Sequence, residues 1–169
     1  MKVQDLIEEL EEKECYKIFK TQNKEAYFAA AFLMLDIEKK TEQIQLDYYI
    51  PKQNQIAAFC FPFVEPKIHS DIISNTKKGK SKPIPMSKQT TKIKIDIDDL
   101  EPKCKKLIKE NDSLIVPTKI IAILKDNIWN LTLMDNMLGI VRIKINAITE
   151  ELLDFNKGGL MDFVSTLRK

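Results

Sequence analysis

The chain has 169 residues, of which 44% are hydrophobic and 31% charged, and it carries a net charge of +2. Its length holds one ordinary domain or two very small ones, and its composition excludes the disordered class. The near-balanced charge expresses no overall preference for nucleic acid, and the longest nearly uncharged apolar stretch, 26–35, is well short of the about 20 residues of a spanning helix, so no membrane partner is expected.

Val3, Leu6, Ile7 and Leu10 recur at i, i+3, i+4 and i+7, which predicts an amphipathic helix over 2–13. Its other face is acidic. Asp5, Glu8, Glu9, Glu11, Glu12 and Glu14 stand where a signal peptide needs an apolar core, and the expected location is cytoplasmic. Strand-like runs follow at 16–20, 26–36, 43–50 and 55–63, with polar separators between them, as in an antiparallel meander. Ile44, Leu46 and Tyr48 alternate with Gln43, Gln45 and Asp47, the pattern of a sheet with one wet side.

From 64 to 91 the pattern dissolves into a basic linker or loop, punctuated by Pro66, Pro83 and Pro85, with a short helical piece at 68–74. No acid lies between Asp71 and Asp96, while Lys77, Lys78, Lys80, Lys82, Lys88, Lys92 and Lys94 do. Order returns at 92–96 and leads into a helix over 97–109. Asp98 or Asp99 is its expected N-cap, and Leu100, Cys104, Leu107 and Ile108 share its buried face. Next come a strand at 119–124, a turn at Asp126-Asn127, and a strand in which Trp129, Leu131 and Leu133 alternate with polar residues. A second turn at 136–139 leads to Val141, Ile143 and Ile145. Gly158-Gly159 then reads as a break before a last short helix at 160–167.

The expected fold class is therefore α+β, in two similar halves, each an amphipathic helix followed by an antiparallel strand meander. One half is 1–63 and the other 92–169, joined by the basic stretch 64–91.

Between 97 and 155 the order of elements resembles that of PepSY-like and cystatin-like small α+β domains. The PepSY-like pattern closes a strand near Asp-Ala-x-Thr-Gly-Glu-Val. The matching positions are Asn146-Ala147-Ile148-Thr149-Glu150-Glu151-Leu152, with Glu150 where the family has a turn glycine. Trp129-Asn130-Leu131-Thr132-Leu133 is similar to the middle strand of that family. What the resemblance implies is a non-catalytic module that binds or restrains a partner protein. It implies no particular site residue.

No motif for catalysis, nucleotide binding or a metal stands in the chain, so neither an enzyme nor a cofactor is expected. His69, the single histidine, sits in a loop-like stretch with no nucleophile signature beside it. Asp96, Asp98 and Asp99 read as acids that cap a helix and favour its dipole. Cys15, Cys60 and Cys104 are odd in number and far apart, which suits reduced thiols better than a disulfide framework or a zinc site.

Two constellations point to binding. The lysines, with Lys77, Lys78, Lys80, Lys82 and Lys88 as candidates, would attract a polyanion by counterion release. Against nucleic acid, the stretch has neither arginine nor a stacking aromatic. Tyr48, Tyr49 and Phe61 are the candidate interface residues, because Tyr48 and Tyr49 fall on opposite faces of one strand and one of them is expected to be exposed. The leading expectation is a non-enzymatic binding or regulatory module that meets a protein partner through a sheet surface, with a homodimer among the arrangements. The alternative is an RNA- or ribosome-associated protein that uses the basic loop.

Overall fold

A computed structural model describes residues 1–70 and 84–159. The elements in chain order are α1 (Val3–Glu12), α2 (Glu14–Gln22), β1 (Tyr27–Asp36), β2 (Thr41–Ile50), β3 (Gln55–Cys60), β4 (Lys67–His69), α3 (Ile97–Glu110), β5 (Lys119–Lys125), β6 (Ile128–Met134), β7 (Gly139–Asn146) and β8 (Leu152–Gly159). The strands form one antiparallel sheet in the order β4-β3-β2-β1-β5-β6-β7-β8. The first four and the last four strands meet where Ala30–Asp36 of β1 pairs with Lys119–Lys125 of β5. The α+β class is as expected, and one continuous sheet carries both strand runs.

Helices lie on one side of this sheet. One residue in two along each strand points at them: Leu33 on β1, Ile44 and Leu46 on β2, Ile120 and Leu124 on β5, Trp129 and Leu131 on β6, Ile143 and Ile145 on β7. Val3, Leu6, Ile7 and Leu10 of α1 and Leu100, Cys104, Leu107 and Ile108 of α3 complete the core from above. Each buried Leu or Ile adds roughly 1.5–3 kcal/mol of transfer free energy, so this single layer of contacts holds the fold.

Several elements differ from expectation, each for a local reason. Residues 16–20 are helical, within α2, because Tyr16 and Phe19 are three apart and both reach Tyr48 and Phe59, at ring-centroid distances of 5.2–6.3 Å. The strand expected over 55–63 stops at Cys60. Phe63 then turns inward with φ 64° and is buried. Ile68 belongs to a short edge strand, paired with Ala57, instead of a helical piece. Gly158-Gly159 is not a break, since both residues pair in β8 with Ile140 and Gly139. The expected helix at 160–167 lies outside the described residues.

The cap of α3 is Asp96, not Asp98 or Asp99. Its Oδ1 accepts from Ile97 N at 2.8 Å, and Asp99 Oδ2 accepts from Asp96 N at 2.9 Å in return. Asp96 is chosen because its Oδ1 also accepts from Val3 N, the first amide of α1, at 2.8 Å. One carboxylate thus satisfies the starts of two helices.

The stretch 84–95 is not a free linker. Met86 O accepts from the Tyr27 hydroxyl at 2.6 Å, Gln89 N donates to Phe28 O at 2.9 Å, and the buried Gln89 side chain exchanges two hydrogen bonds with Asn127. Lys94 N and Ile95 N both donate to Ala147 O, and Trp129 Nε1 donates to Ile95 O at 2.8 Å. Glu150, at the position of the turn glycine in the resemblance, holds a left-handed φ of 68°, the conformation that favours glycine.

Candidate binding face of the sheet

The other residue in two along each strand points away from the helices, and among the described residues no helix covers that side. Two rows cross six strands there. In one, register places Gln45, Phe32, Ile123, Asn130, Lys144 and Asp154 side by side. In the next, it places Gln43, Met34, Ile121, Thr132, Arg142 and Asn156. At about 4.8 Å between strands the rows span about 24 Å.

These rows are apolar in the middle and polar at both ends. Phe32, Met34 and Ile121 are half-buried and Ile123 is 39% exposed, all on the central pair β1 and β5. Glutamines of β2 flank them on one side; Asn130, Thr132, Arg142 and Lys144 flank them on the other. Apolar centre with polar rim is the anatomy of a protein interface. Isoleucine, methionine and phenylalanine have no polar group to turn to water, so a partner that covers them removes apolar area at no desolvation cost. At one end of the face Lys119 and Asp36 form an ion pair at 3.9 Å.

Nearer β4, Asp47 lies on this face between Ala30 and Ala58 and accepts from Gln45 Nε2 at 2.8 Å. Burial raises its pKa above the usual carboxylate range, against the opposing effects of the Gln45 bond and of His69.

The residues singled out from the sequence scatter. Tyr48 is buried on the helix side among Tyr16, Phe19, Phe28 and Phe59, where desolvation pushes its phenol pKa up. Tyr49 is on the opposite face as expected, yet it is buried as well, against Tyr27, with its hydroxyl donating to Asn54 Oδ1 at 2.7 Å. The expectation that one of this pair would be exposed is therefore corrected. Phe61 is 46% exposed and stands just beyond β3, edge-on to Phe63. Lys77, Lys78, Lys80 and Lys82 lie outside the described residues, and Lys88 is exposed within the stretch 84–95 that straps onto the sheet. His69 ends β4, exposed.

Cys104 is buried under α3, and burial with Glu101 nearby pushes its thiol up to about 12. Cys15 and Cys60 are half-buried and all three thiols are free. Among the described residues no group of three His, Cys, Asp or Glu side chains is placed to hold a metal ion, and no helix is long and apolar enough to cross a membrane.

The signal for the binding face was present in the chain. Most strands alternate apolar with polar, but 30–35 and 120–124 are apolar at both parities. Such runs are buried on both faces when a second layer covers the sheet. Among the described residues the helices lie on one side only, and the second apolar set of β1 and β5 is left half-buried or exposed.

No family model matches the chain, and no curated protein matches it. Among solved structures, a putative lipoprotein from Clostridium difficile 630 has a similar fold, with a TM-score of 0.48 and 11% identity, over 86% of this chain and 91% of its own. A likeness of that strength assigns neither family nor function.

Proposed function

We propose that the protein is a non-enzymatic binding or regulatory module that holds a protein partner on the uncovered face of its sheet. The observation that carries this is the apolar band of Phe32, Met34, Ile121 and Ile123 on the two central strands, rimmed by amide and cationic side chains. The strand order supports a finer reading, in which 1–63 and 92–169, joined by the basic stretch 64–91, are two related helix-plus-meander halves set back to back at β1 and β5. The resemblance to PepSY-like and cystatin-like domains agrees with a restraining, non-catalytic role. The competing reading is an RNA- or ribosome-associated protein that uses the basic loop 77–94.

The test is a photo-crosslinking residue placed at Ile123, with a control at Lys105 on the exposed side of α3, in cells that make the protein. A discrete protein adduct is expected at 123 and none at 105, and the adduct should vanish in Phe32→Asp while far-UV circular dichroism stays unchanged. Equal adducts at both positions would sink the proposal. An adduct at 123 that nuclease removes, with affinity for RNA falling steeply with salt, would transfer the face to the RNA reading.

A further inference from the structure

A second surface lies on the helix side, at the β4 end of the sheet. The helix layer stops short there. Ile68 of β4 shares the parity of Ala57, a core residue, yet it is 49% exposed because no helix extends over it. Facing it is a stripe of α2 at 14, 18 and 22 with 15 and 19 beside it, the i, i+4, i+8 spacing of one helix face. Ile18 in that stripe is 51% exposed. Between the two walls runs a cleft of about 620 Å³ floored by Cys15, Phe19, Ile50 and Pro66.

The polar lining of this cleft has one sign. Glu14 and Glu65 stand on it, Gln22, Asn23, Gln53 and Gln55 add amides, and among the described residues no lysine or arginine does. A site whose described lining carries carboxylates and amides favours a cationic ligand. The cleft also borders a sheet edge. β4 pairs only with β3 among the described residues, so its outer backbone groups are open to an added strand.

From this we propose that the α2–β4 cleft binds an extended segment of a partner protein in which lysine or arginine and apolar side chains take turns at every second position, so that both kinds point to the helix side. The apolar residues enter between Ile18 and Ile68, the cations reach Glu14 and Glu65, and the backbone follows the β4 edge. The site is separate from the uncovered sheet face, and either stands without the other.

The experiment follows isoleucine methyl resonances of the whole protein during titration with a synthetic decapeptide that has serine at every other position and lysine and valine in turn between. Ile18 and Ile68 are expected to shift while Ile121 and Ile123 stay in place. Glu14→Gln with Glu65→Gln should weaken binding about tenfold and flatten its salt dependence. A matched peptide with glutamate in place of each lysine should leave the spectrum unchanged. Binding of the acidic peptide with equal strength, or shifts confined to Ile121 and Ile123, would overturn the proposal. So would a shift of Ile18 and Ile68, with no peptide added, on changing Lys77, Lys78, Lys80 and Lys82 to glutamine. In that case the chain's own lysine stretch, and not a partner, is the occupant.

Discussion

Asp96 and Asp47 show how differently two carboxylates serve one fold. The Asp96 Oδ1 atom accepts from the first amides of both α1 and α3, so its loss leaves two helix starts uncapped, both of them buried. Asp96→Ala is expected to cost about 2–3 kcal/mol, and Asp96→Asn, which keeps the acceptor, less than half of that. Urea unfolding of both variants checks the order. Asp47 is the opposite case, because burial raises its folded pKa and so disfavours the charged form. Folding then binds the proton more tightly than the unfolded chain does. The stability this provides is present at low pH and is lost as pH rises from the usual carboxylate range through the raised value. Asp47→Asn should therefore be more stable than the parent at pH 7, with the advantage shrinking as pH falls through the raised value and gone below about 4. A urea midpoint that moves equally at both pH values would contradict this. That an acid near 96–99 caps a helix was readable from the chain. Which acid it is depends on where Val3 lands, and no local pattern encodes that.

At the scale of elements, the stretch 84–95 is ordered by single bonds to several strands instead of by any periodicity of its own. Trp129 holds it from the core through the Nε1 bond to Ile95 O, next to the pair of amides donated to Ala147 O. Trp129→Phe leaves that buried carbonyl without its donor and a small void beside it. The expected cost is about 2–3 kcal/mol, with faster amide hydrogen exchange at Lys94 and Ile95 as the specific sign. Unchanged exchange at those two amides would show that the strap is held without the tryptophan. The elements that were legible were α1, α3, β2, β6 and β7, by their clean periods, and β1 and β5, by apolar runs between polar separators. Residues 16–20 misled because Tyr16 and Ile18, on either side of Lys17, also fit a period of two. The tie is broken by the aromatic cluster of Tyr48 and Phe59, contributed from 48 and 59 in the sequence. β4 is three residues long and β8 carries two glycines, so neither had a local signal strong enough to name it.

For the whole molecule, the decisive contact is the pairing of β1 with β5, which turns two strand runs into one sheet under a shared core. Unfolding is accordingly expected to be a single cooperative transition. Fluorescence of Trp129, the single tryptophan, and far-UV circular dichroism should share one midpoint in urea. Separate midpoints would mean that the two strand runs unfold independently despite their seam. The same pairing creates the candidate binding face, since it brings Phe32 and Met34 beside Ile123 and Ile121. Residue patterns alone determined the α+β class, the antiparallel runs, the acidic side of α1 and the apolar character of 30–35 and 120–124, because each depends on spacing within a dozen residues. The seam, the three helices on one side only, the burial of Tyr49 and the exposure of Ile123 were decided by tertiary structure. A strand's second face is core or surface according to whether another layer lies over it, and that layer is supplied from elsewhere in the chain or not at all.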